Sequence, residues 1–234
     1  MKIGIIGTGA IGGTLARGLA RRGHAVSIAS ARGPAALQGL AAELGATAVS
    51  VQEAARAGEV VILSIPQKAV PALPKDLFAG VPASVVVIET GNYYPQLRDG
   101  RIDAIESGTL ESVWVAAQLG RPVVKAFNNI VAKSLIEKGL PAGAPGRVAL
   151  SVAGEPPEAR AVALRLVDEL GFDPVDAGGL DESWRQQPGA PAYCRDLDAA
   201  ALRRALAAAD RSRLAEYRRE REAYVAKLLA TAGT

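Results

Sequence analysis

The chain has 234 residues, of which 49% are hydrophobic and 22% charged, a composition typical of globular proteins and not of disordered ones. The formal net charge is only +3, and basic and acidic residues are interspersed, which excludes the charge footprint of a nucleic-acid-binding protein. The sequence shows neither a signal peptide nor an apolar stretch long enough to cross a bilayer, so we expect a cytoplasmic protein with no membrane partner.

Short runs rich in Val and Ile alternate with helical patterns along most of the chain. The runs predict seven strands buried on both faces, namely Lys2–Ile6, Ala25–Ala29, Val60–Ile65, Val85–Ile88, Val123–Lys125, Val148–Val152 and Phe172–Val175. The patterns between them predict the helices Ile11–Arg22, Pro34–Leu44 and Glu158–Leu170. This alternation predicts an α/β fold of the Rossmann type, with a doubly wound, mostly parallel sheet.

The pattern changes after the last predicted strand, where a loop rich in Gly, Pro and Gln precedes a long helical segment. Asp198 is a candidate N-cap for one helix running to about Leu229. Its apolar stripe contains Leu202, Leu206, Leu214, Tyr217, Tyr224 and Leu228. We therefore expect a Rossmann domain over residues 1–176 and a loop with a C-terminal helical extension over residues 177–234. The stripe could pack on the main domain or on a second subunit, so a homodimer is an open alternative.

The turn after the first predicted strand carries a GxGxxG motif and opens the first predicted helix. Its residues are Gly7, Thr8, Gly9, Ala10, Ile11 and Gly12. In this motif Gly7 permits the tight turn, Gly9 lets a pyrophosphate approach the backbone, and Gly12 lets the helix pack closely on the strand. Free N–H groups and the positive end of the helix dipole then bind the anion. We therefore predict that a nicotinamide dinucleotide binds at this turn.

The end of the second predicted strand distinguishes NAD from NADP. An NAD enzyme usually carries Asp or Glu there, which binds the ribose 2′-hydroxyl. This chain has no carboxylate at that point, and Ser30 and Arg32 offer a hydroxyl and a guanidinium to a 2′-phosphate. The alternative is that Arg32 only solvates a surface loop. We predict NADP as the cofactor.

One histidine and one cysteine are too few for a His/Cys metal site within one subunit, so no metal is expected. His24 lies in the turn between the first helix and the second strand, where we expect a structural role. Cys194 has no neighbouring motif that indicates a nucleophile. The sequence therefore assigns no catalytic acid, base or nucleophile.

Four loops that follow predicted strands are polar or rich in glycine. They are Ser64–Gln67, Glu89–Pro95, Lys125–Asn129 and Asp176–Leu180. Because the carboxyl ends of parallel strands meet at one edge of the sheet, we expect these loops to converge on the dinucleotide crevice. Asn92, Tyr93 and Asn128 are the candidate contacts for a substrate or for the nicotinamide. The alternative is that they are ordinary loop residues.

At these motifs the chain resembles the coenzyme F-420-dependent NADP reductase family, the deazaflavin-linked oxidoreductases, and within it a subgroup of NADP-binding oxidoreductases. The resemblance extends to about Leu180. It implies cofactor contacts at Thr8, Gly9, Ala10, Ile11, Ser30, Arg32, Ile65, Pro66 and Ala126. It also implies direct hydride transfer between the nicotinamide and the deazaflavin ring, which requires alignment and exclusion of water more than an acid or base.

Together these features predict an NADP-dependent oxidoreductase that exchanges hydride with a second small molecule, for which deazaflavin (coenzyme F-420) and flavin are candidates. A small carbonyl or imine is an alternative substrate. β-Hydroxyacid dehydrogenases and pyrroline-carboxylate reductases share the N-terminal layout but add a large helical domain, for which this chain offers only its C-terminal extension. A non-catalytic NADP sensor is an alternative of another class.

Overall fold

An eight-stranded sheet organises the computed structural model, which describes residues 1–232 apart from the side chains of residues 228, 231 and 232. The strands are β1 Lys2–Ile6, β2 Ala25–Ala29, β3 Thr47–Ala48, β4 Val60–Leu63, β5 Val86–Glu89, β6 Val124–Lys125, β7 Ala149–Gly154 and β8 Asp173–Asp176. Their order across the sheet is β3-β2-β1-β4-β5-β6-β7-β8. The first six strands are in the order of a dinucleotide-binding sheet, which confirms the predicted Rossmann-type fold.

Strand direction divides the sheet into two parts. Strands β1 to β6 pair in parallel, whereas β7 pairs antiparallel to β6, and β8 runs parallel to β7. The sheet is therefore mostly parallel, as predicted. All seven predicted strands are present, and the short β3 is an addition, since two residues give no periodic signal.

Helices cover both faces of the sheet. They are α1 Ala10–Ala20, α2 Gln38–Leu44, α3 Val51–Ala55, α4 Asp103–Glu106, α5 Glu111–Leu119, α6 Ala132–Glu137, α7 Pro157–Glu169, α8 Ala199–Ala207 and α9 Leu214–Ala232. Alternate residues of the central strands point to opposite faces, so that Ile3 and Ile5 enter one core and Ile6 enters the other. The first core includes Leu15 of α1, and the second includes Trp114 of α5.

The predicted single C-terminal helix is wrong, because the segment forms two helices. Asp198 caps α8 as expected, and its Oδ1 accepts a hydrogen bond of 2.7 Å from the N–H of Ala201. The first helix nevertheless ends at Ala207, and Asp210 caps a short 3-10 turn that leads into α9. A second capping aspartate, Asp210, thus starts a new element at a point where the apolar pattern predicted one continuous helix.

The predicted apolar stripe is buried only in part. Leu202, Leu206 and Tyr217 are buried, whereas Tyr224 is 53% exposed. The side chain of Leu228 lies outside the described part of the structure. Within residues 1–232, we find no helix that is both long and apolar enough to span a bilayer.

Candidate functional site

The turn between β1 and α1 has the backbone shape that a dinucleotide requires. Gly7 has a φ of +107°, and a Cβ there would collide with the carbonyl oxygen of Ser64. A Cβ at Gly12 would collide with the carbonyl oxygen of Gly7, so the helix packs on the turn without intervening side-chain atoms. At Gly9, by contrast, an added Cβ would meet no atom within 4 Å. The turn is therefore closely packed against the sheet and α1 at Gly7 and Gly12, and it is open at Gly9, where a pyrophosphate would fit.

Helix α1 begins directly at this opening. Gly9 is its N-cap and provides no side-chain hydrogen bond, and the first turn contains no acidic side chain. The N–H groups of Ala10 and Ile11 have no partner within the helix, as in the first turn of any α-helix. Thr8, Gly9 and Ala10 are half-buried or exposed, so these groups are accessible to an anion.

Ser30 and Arg32 lie beside the glycine turn, because β1 and β2 pair in register from end to end. The N–H of Gly7 donates to the carbonyl oxygen of Ala29, the last residue of β2. In the next turn the backbone N–H of Arg32 donates to Ser30 Oγ at 3.2 Å. This turn leaves Arg32 exposed. A hydroxyl and a guanidinium are thus available at the position where an NAD enzyme carries a carboxylate.

The other predicted cofactor contacts occupy two different environments. Ile65 and Pro66 are half-buried and follow β4, with the Ile65 side chain against the glycine turn. Ile65 therefore borders the glycine turn directly, and Pro66 follows it in the chain. Ala126 follows β6, donates from its N–H to the carbonyl oxygen of Glu89, and is fully buried. Ala126 thus lies in the interior beside β5, and its contact with a dinucleotide stays a prediction.

Asn92 and Asn128 lie together, as the convergence of the loops predicts, but they bind each other. Asn92 Nδ2 donates to the carbonyl oxygen of Asn128, and Asn128 Nδ2 donates to Asn92 Oδ1, both at 3.0 Å. Gln186 Nε2 donates to Asn128 Oδ1 at 2.8 Å. The three amides form a network that joins the loops after β5 and β6 to a 3-10 helix, Leu180–Gln186. Gln186 was not singled out from the sequence because its segment has no periodic pattern.

Tyr93 is an interior residue and not part of an accessible rim. Its side chain is fully buried, and its hydroxyl accepts a 2.8 Å hydrogen bond from the N–H of Ile102. The Arg218 guanidinium lies 4.9 Å from the centre of its ring. The contact between Tyr93 and a substrate stays a prediction, and in this structure the side chain packs in the interior.

A buried ion pair lies beneath the loop after β5. Lys125 Nζ and Glu89 Oε2 are 2.8 Å apart, and their side chains are 0% and 2% exposed. Ser112 Oγ also donates to Glu89 Oε2, at 3.0 Å. The sequence indicated these residues only as members of loops, because a pairing between neighbouring strands depends on the register of the sheet.

A second buried carboxylate lies close to this pair. Glu111 is fully buried, and that burial raises the pKa of its carboxyl, while the positive charges of Lys125 and Arg218 act in the opposite direction. Arg218 of α9 approaches Glu111 Oε1 to 3.5 Å. The backbone N–H of Tyr93 donates to Glu111 Oε2 at 3.0 Å. The C-terminal helix is thus connected to the rim through a buried carboxyl group.

The loop Asp176–Leu180 does not lie at the rim, so its predicted convergence with the other three loops is wrong. The N–H of Gly154 donates to the carbonyl oxygen of Gly178, and Gly154 pairs with Val124 at the start of β6. The loop therefore lies near the opposite end of β6. The cause is the antiparallel pairing of β7 with β6, which reverses the direction of β8 as well.

The single histidine and the single cysteine both lie away from the glycine turn. His24 Nδ1 lies 3.1 Å from the N-terminal ammonium, and its Nε2 lies 2.7 Å from Glu169 Oε2. Cys194 is half-buried, and desolvation raises the pKa of its thiol to about 11. Neither residue lies at the glycine turn.

Sequence comparison relates the N-terminal part of the chain to one family. The family model described as "NADP oxidoreductase coenzyme F420-dependent" matches residues 2–93, which contain the glycine turn and the end of β2. The protein YjhV of Escherichia coli (strain K12) is 53% identical to this chain over 66 residues. Those residues are 28% of this chain and 48% of YjhV, so the match spans about half the length of that relative.

Structural comparison extends the likeness over most of the chain. The crystal structure of a hypothetical protein, SMa0349 from Sinorhizobium meliloti, is similar at 31% identity and a TM-score of 0.70, covering 84% of this chain and 95% of that one. A structure from Arthrobacter sp. FB24, provisionally described as an F420-dependent NADP reductase, has 23% identity and a TM-score of 0.63. It covers 78% of this chain and 87% of its own, and it supports the fold alone.

Proposed function

The chain belongs to the family of coenzyme F420-dependent NADP oxidoreductases, and from that membership we propose that it is an NADP-dependent oxidoreductase. It transfers hydride between NADP(H) and a second small molecule. The observation that carries the proposal is the open space above Gly9, enclosed beneath by Gly7 and Gly12, with Ser30 and Arg32 beside it. NADP needs backbone N–H groups for its pyrophosphate and, beside them, a hydroxyl and a cation for its 2′-phosphate, and this site offers both.

Each part of this site has a separate role in binding. The N–H groups at the start of α1 bind the pyrophosphate, and Ser30 and Arg32 bind the 2′-phosphate. Ile65 and Pro66 shield the opening from water on the side of β4. The bound nicotinamide supplies or accepts the hydride, and the protein contributes alignment and exclusion of water.

We propose a planar redox ring, a deazaflavin such as coenzyme F420 or a flavin, as the second partner. The family description supports this choice. Hydride transfer from NADPH to either ring leaves a delocalised ring anion whose proton can come from solvent, so the step requires no acid or base of the protein. A carbonyl or imine would in addition need a proton donor, and the two rim residues predicted to contact a substrate, Asn92 and Asn128, are amides.

A non-catalytic NADP sensor is the second candidate. The network of Asn92, Asn128 and Gln186 supports it, because Asn92 and Asn128, the two amides predicted to contact a substrate, hydrogen-bond to each other. A sensor needs the dinucleotide cradle and no second pocket. The two candidates therefore differ in turnover and not in NADP binding.

The 2′-phosphate assignment is tested with Arg32→Ala. We expect NADPH binding to weaken by about tenfold or more, because a charge-assisted hydrogen bond contributes about 1.5–3 kcal/mol, and NADH binding to change little. Fluorescence titration of both dinucleotides measures this. Arg101→Ala, at an exposed arginine paired with Asp103, is the control. Equal losses for NADPH and NADH would remove the assignment.

Turnover is tested by mixing the protein and NADPH with oxidised deazaflavin, with flavin, or with a panel of carbonyls and imines. The loss of nicotinamide absorbance reports hydride transfer. We expect oxidation of NADPH in the presence of a ring acceptor. Tight NADPH binding without turnover on any acceptor would instead establish the sensor.

A further inference from the structure

We propose that Lys125 and Glu89 are positioning residues at the nicotinamide half of the dinucleotide site. They hold the N–H and the carbonyl of Gly91, which belong to the two successive peptide groups that we call the Gly91 peptide. This inference rests on the proposed function. Neither side chain is accessible to a ligand, so both act through the backbone of the loop that follows β5.

The Gly91 peptide is held by the ion pair from two directions. Its N–H donates to Glu89 Oε1 at 2.6 Å, and its carbonyl oxygen accepts a hydrogen bond from Lys125 Nζ. Because the same two side chains bind each other, their charges and the peptide form one closed unit. Hydrogen bonds to charged groups are short and directional, which restricts the orientation of the peptide.

The space around Gly91 is already filled. A Cβ added there would lie 2.6 Å from Glu89 Oε1 and 2.7 Å from Gln67 Oε1. Gln67 comes from the loop after β4 and is fully buried. Polar side chains from β5, from β6 and from the loop after β4 therefore surround Gly91, and a Cβ there would displace the ends of Glu89 and Gln67.

This unit, formed by Lys125, Glu89 and Gly91, lies on one half of the crevice. Ser30 and Arg32 place the adenosine half over β1 and β2, and a dinucleotide crosses the crevice from there. The nicotinamide half therefore extends over β4, β5 and β6. Gly91 is half-buried at the end of β5, so its peptide borders that second half and not the first.

The experiment compares two ligands that differ only in the half they occupy. NADP⁺ occupies both halves, and 2′,5′-ADP occupies the adenosine half alone. For Lys125→Met we expect the Kd of NADP⁺ to rise about tenfold or more, while the Kd of 2′,5′-ADP stays within about twofold. Equal weakening of both ligands, or no change in either, would overturn the positioning role.

Arg147→Met is the matched control. Arg147 is also a buried cation, 4% exposed and paired with Asp168 and Asp173, but it contacts no residue of the glycine turn or of the Gly91 loop. Its loss should lower stability without changing the ratio of the two Kd values. A similar change of that ratio in Arg147→Met would show that the effect of Lys125→Met is merely structural.

Gly91→Ala is a second variant for the case in which Lys125→Met does not fold, because it retains both charges and displaces the peptide instead. We expect the same selective loss of NADP⁺ affinity, and faster hydrogen exchange at residues 90–93 of the ligand-free protein. Unchanged exchange and unchanged NADP⁺ affinity would refute the proposal. If the wild-type protein bound neither ligand, the proposed function would fail, and exchange in the variants would still decide whether the ion pair holds the loop.

Discussion

Cys194 is the only thiol of the chain, and we expect its environment to make it unreactive. Because desolvation raises its pKa to about 11, only about one thiol in a thousand is ionised at pH 8. We expect iodoacetamide to label the native protein about 100-fold more slowly than the urea-unfolded protein, in which the thiolate fraction is ordinary. Mass spectrometry of timed samples measures both rates. Similar rates would contradict the proposed desolvation.

Glu111 makes stability depend on pH. Burial raises the pKa of this carboxyl above its ordinary value of 4.5, so the folded protein holds the proton more tightly than the unfolded chain does. Proton binding by Glu111 therefore makes its full contribution to the free energy of unfolding below pH 4.5. This contribution is lost as the pH rises through the raised pKa of Glu111 in the folded protein.

We expect Glu111→Gln to remove this dependence while keeping an oxygen that accepts from the N–H of Tyr93. Relative to wild type, the variant should gain stability as the pH rises from 4.5 to 8. Urea unfolding at both pH values tests this. A stability difference that stayed constant, or that moved towards wild type with rising pH, would show that Glu111 is held ionised in the folded protein.

The roles of single residues could be predicted from the sequence where those roles depend only on the conformation of the local backbone. Gly7 and Gly12 follow from the turn that they form, and the structure leaves no room for a side chain at either. Lys125 and Glu89 were not predictable as a pair, since two adjacent strands must first be placed in register. The same holds for Tyr93, whose ring packs in the second core and contacts Arg218, far along the chain.

At the scale of elements, the N-cap of α8 provides a direct test of local stability. Asp198 Oδ1 accepts from the N–H of Ala201, so Asp198→Ala should lower the free energy of unfolding by about 1 kcal/mol. Asp198→Asn keeps the acceptor and should retain most of that stability. Thermal unfolding of the two variants distinguishes them, and equal losses would mean that the hydrogen bond is not what stabilises the helix start.

The two errors in the predicted elements have different physical causes. The break between α8 and α9 falls in an alanine-rich stretch without Gly or Pro, and Asp210 acts there through a cap that periodicity does not detect. The antiparallel direction of β7 could not be predicted from the sequence, for another reason. A buried strand has the same apolar pattern in either direction, so residues 149–154 gave no indication that the loop at Asp176 would leave by the other edge.

At the scale of the whole molecule, α9 packs against the rim that the first half of the chain forms. Besides the contact of Arg218 with Glu111, the N–H of Gln96 donates to Glu222 Oε1 at 2.8 Å. The division into residues 1–176 and 177–234 stays a prediction, and so does the homodimer. Tyr224 and Leu229 are exposed along α9, and equilibrium sedimentation would show whether a second subunit covers them.

The contact between α9 and the rim leads to a prediction about Arg218. This arginine approaches Glu111 to 3.5 Å and Glu106 to 3.6 Å, and it covers the ring of Tyr93. Arg218→Met leaves the buried Glu111 carboxylate with one cationic neighbour fewer. We expect the free energy of unfolding to fall by about 2 kcal/mol, and amides of residues 92–99 to exchange faster.

Arg219→Met is the control on the same helix, because Arg219 is exposed one position further along. It should leave both stability and exchange unchanged. Amides of β1 and β4 should stay protected in both variants, since no side chain of α9 that the structure describes belongs to their cores. Faster exchange throughout the sheet in Arg218→Met would indicate global destabilisation, and unchanged exchange at residues 92–99 would show that α9 does not hold the rim. Selective exchange at the rim would establish that the C-terminal helix supports the loop on which the Gly91 peptide lies.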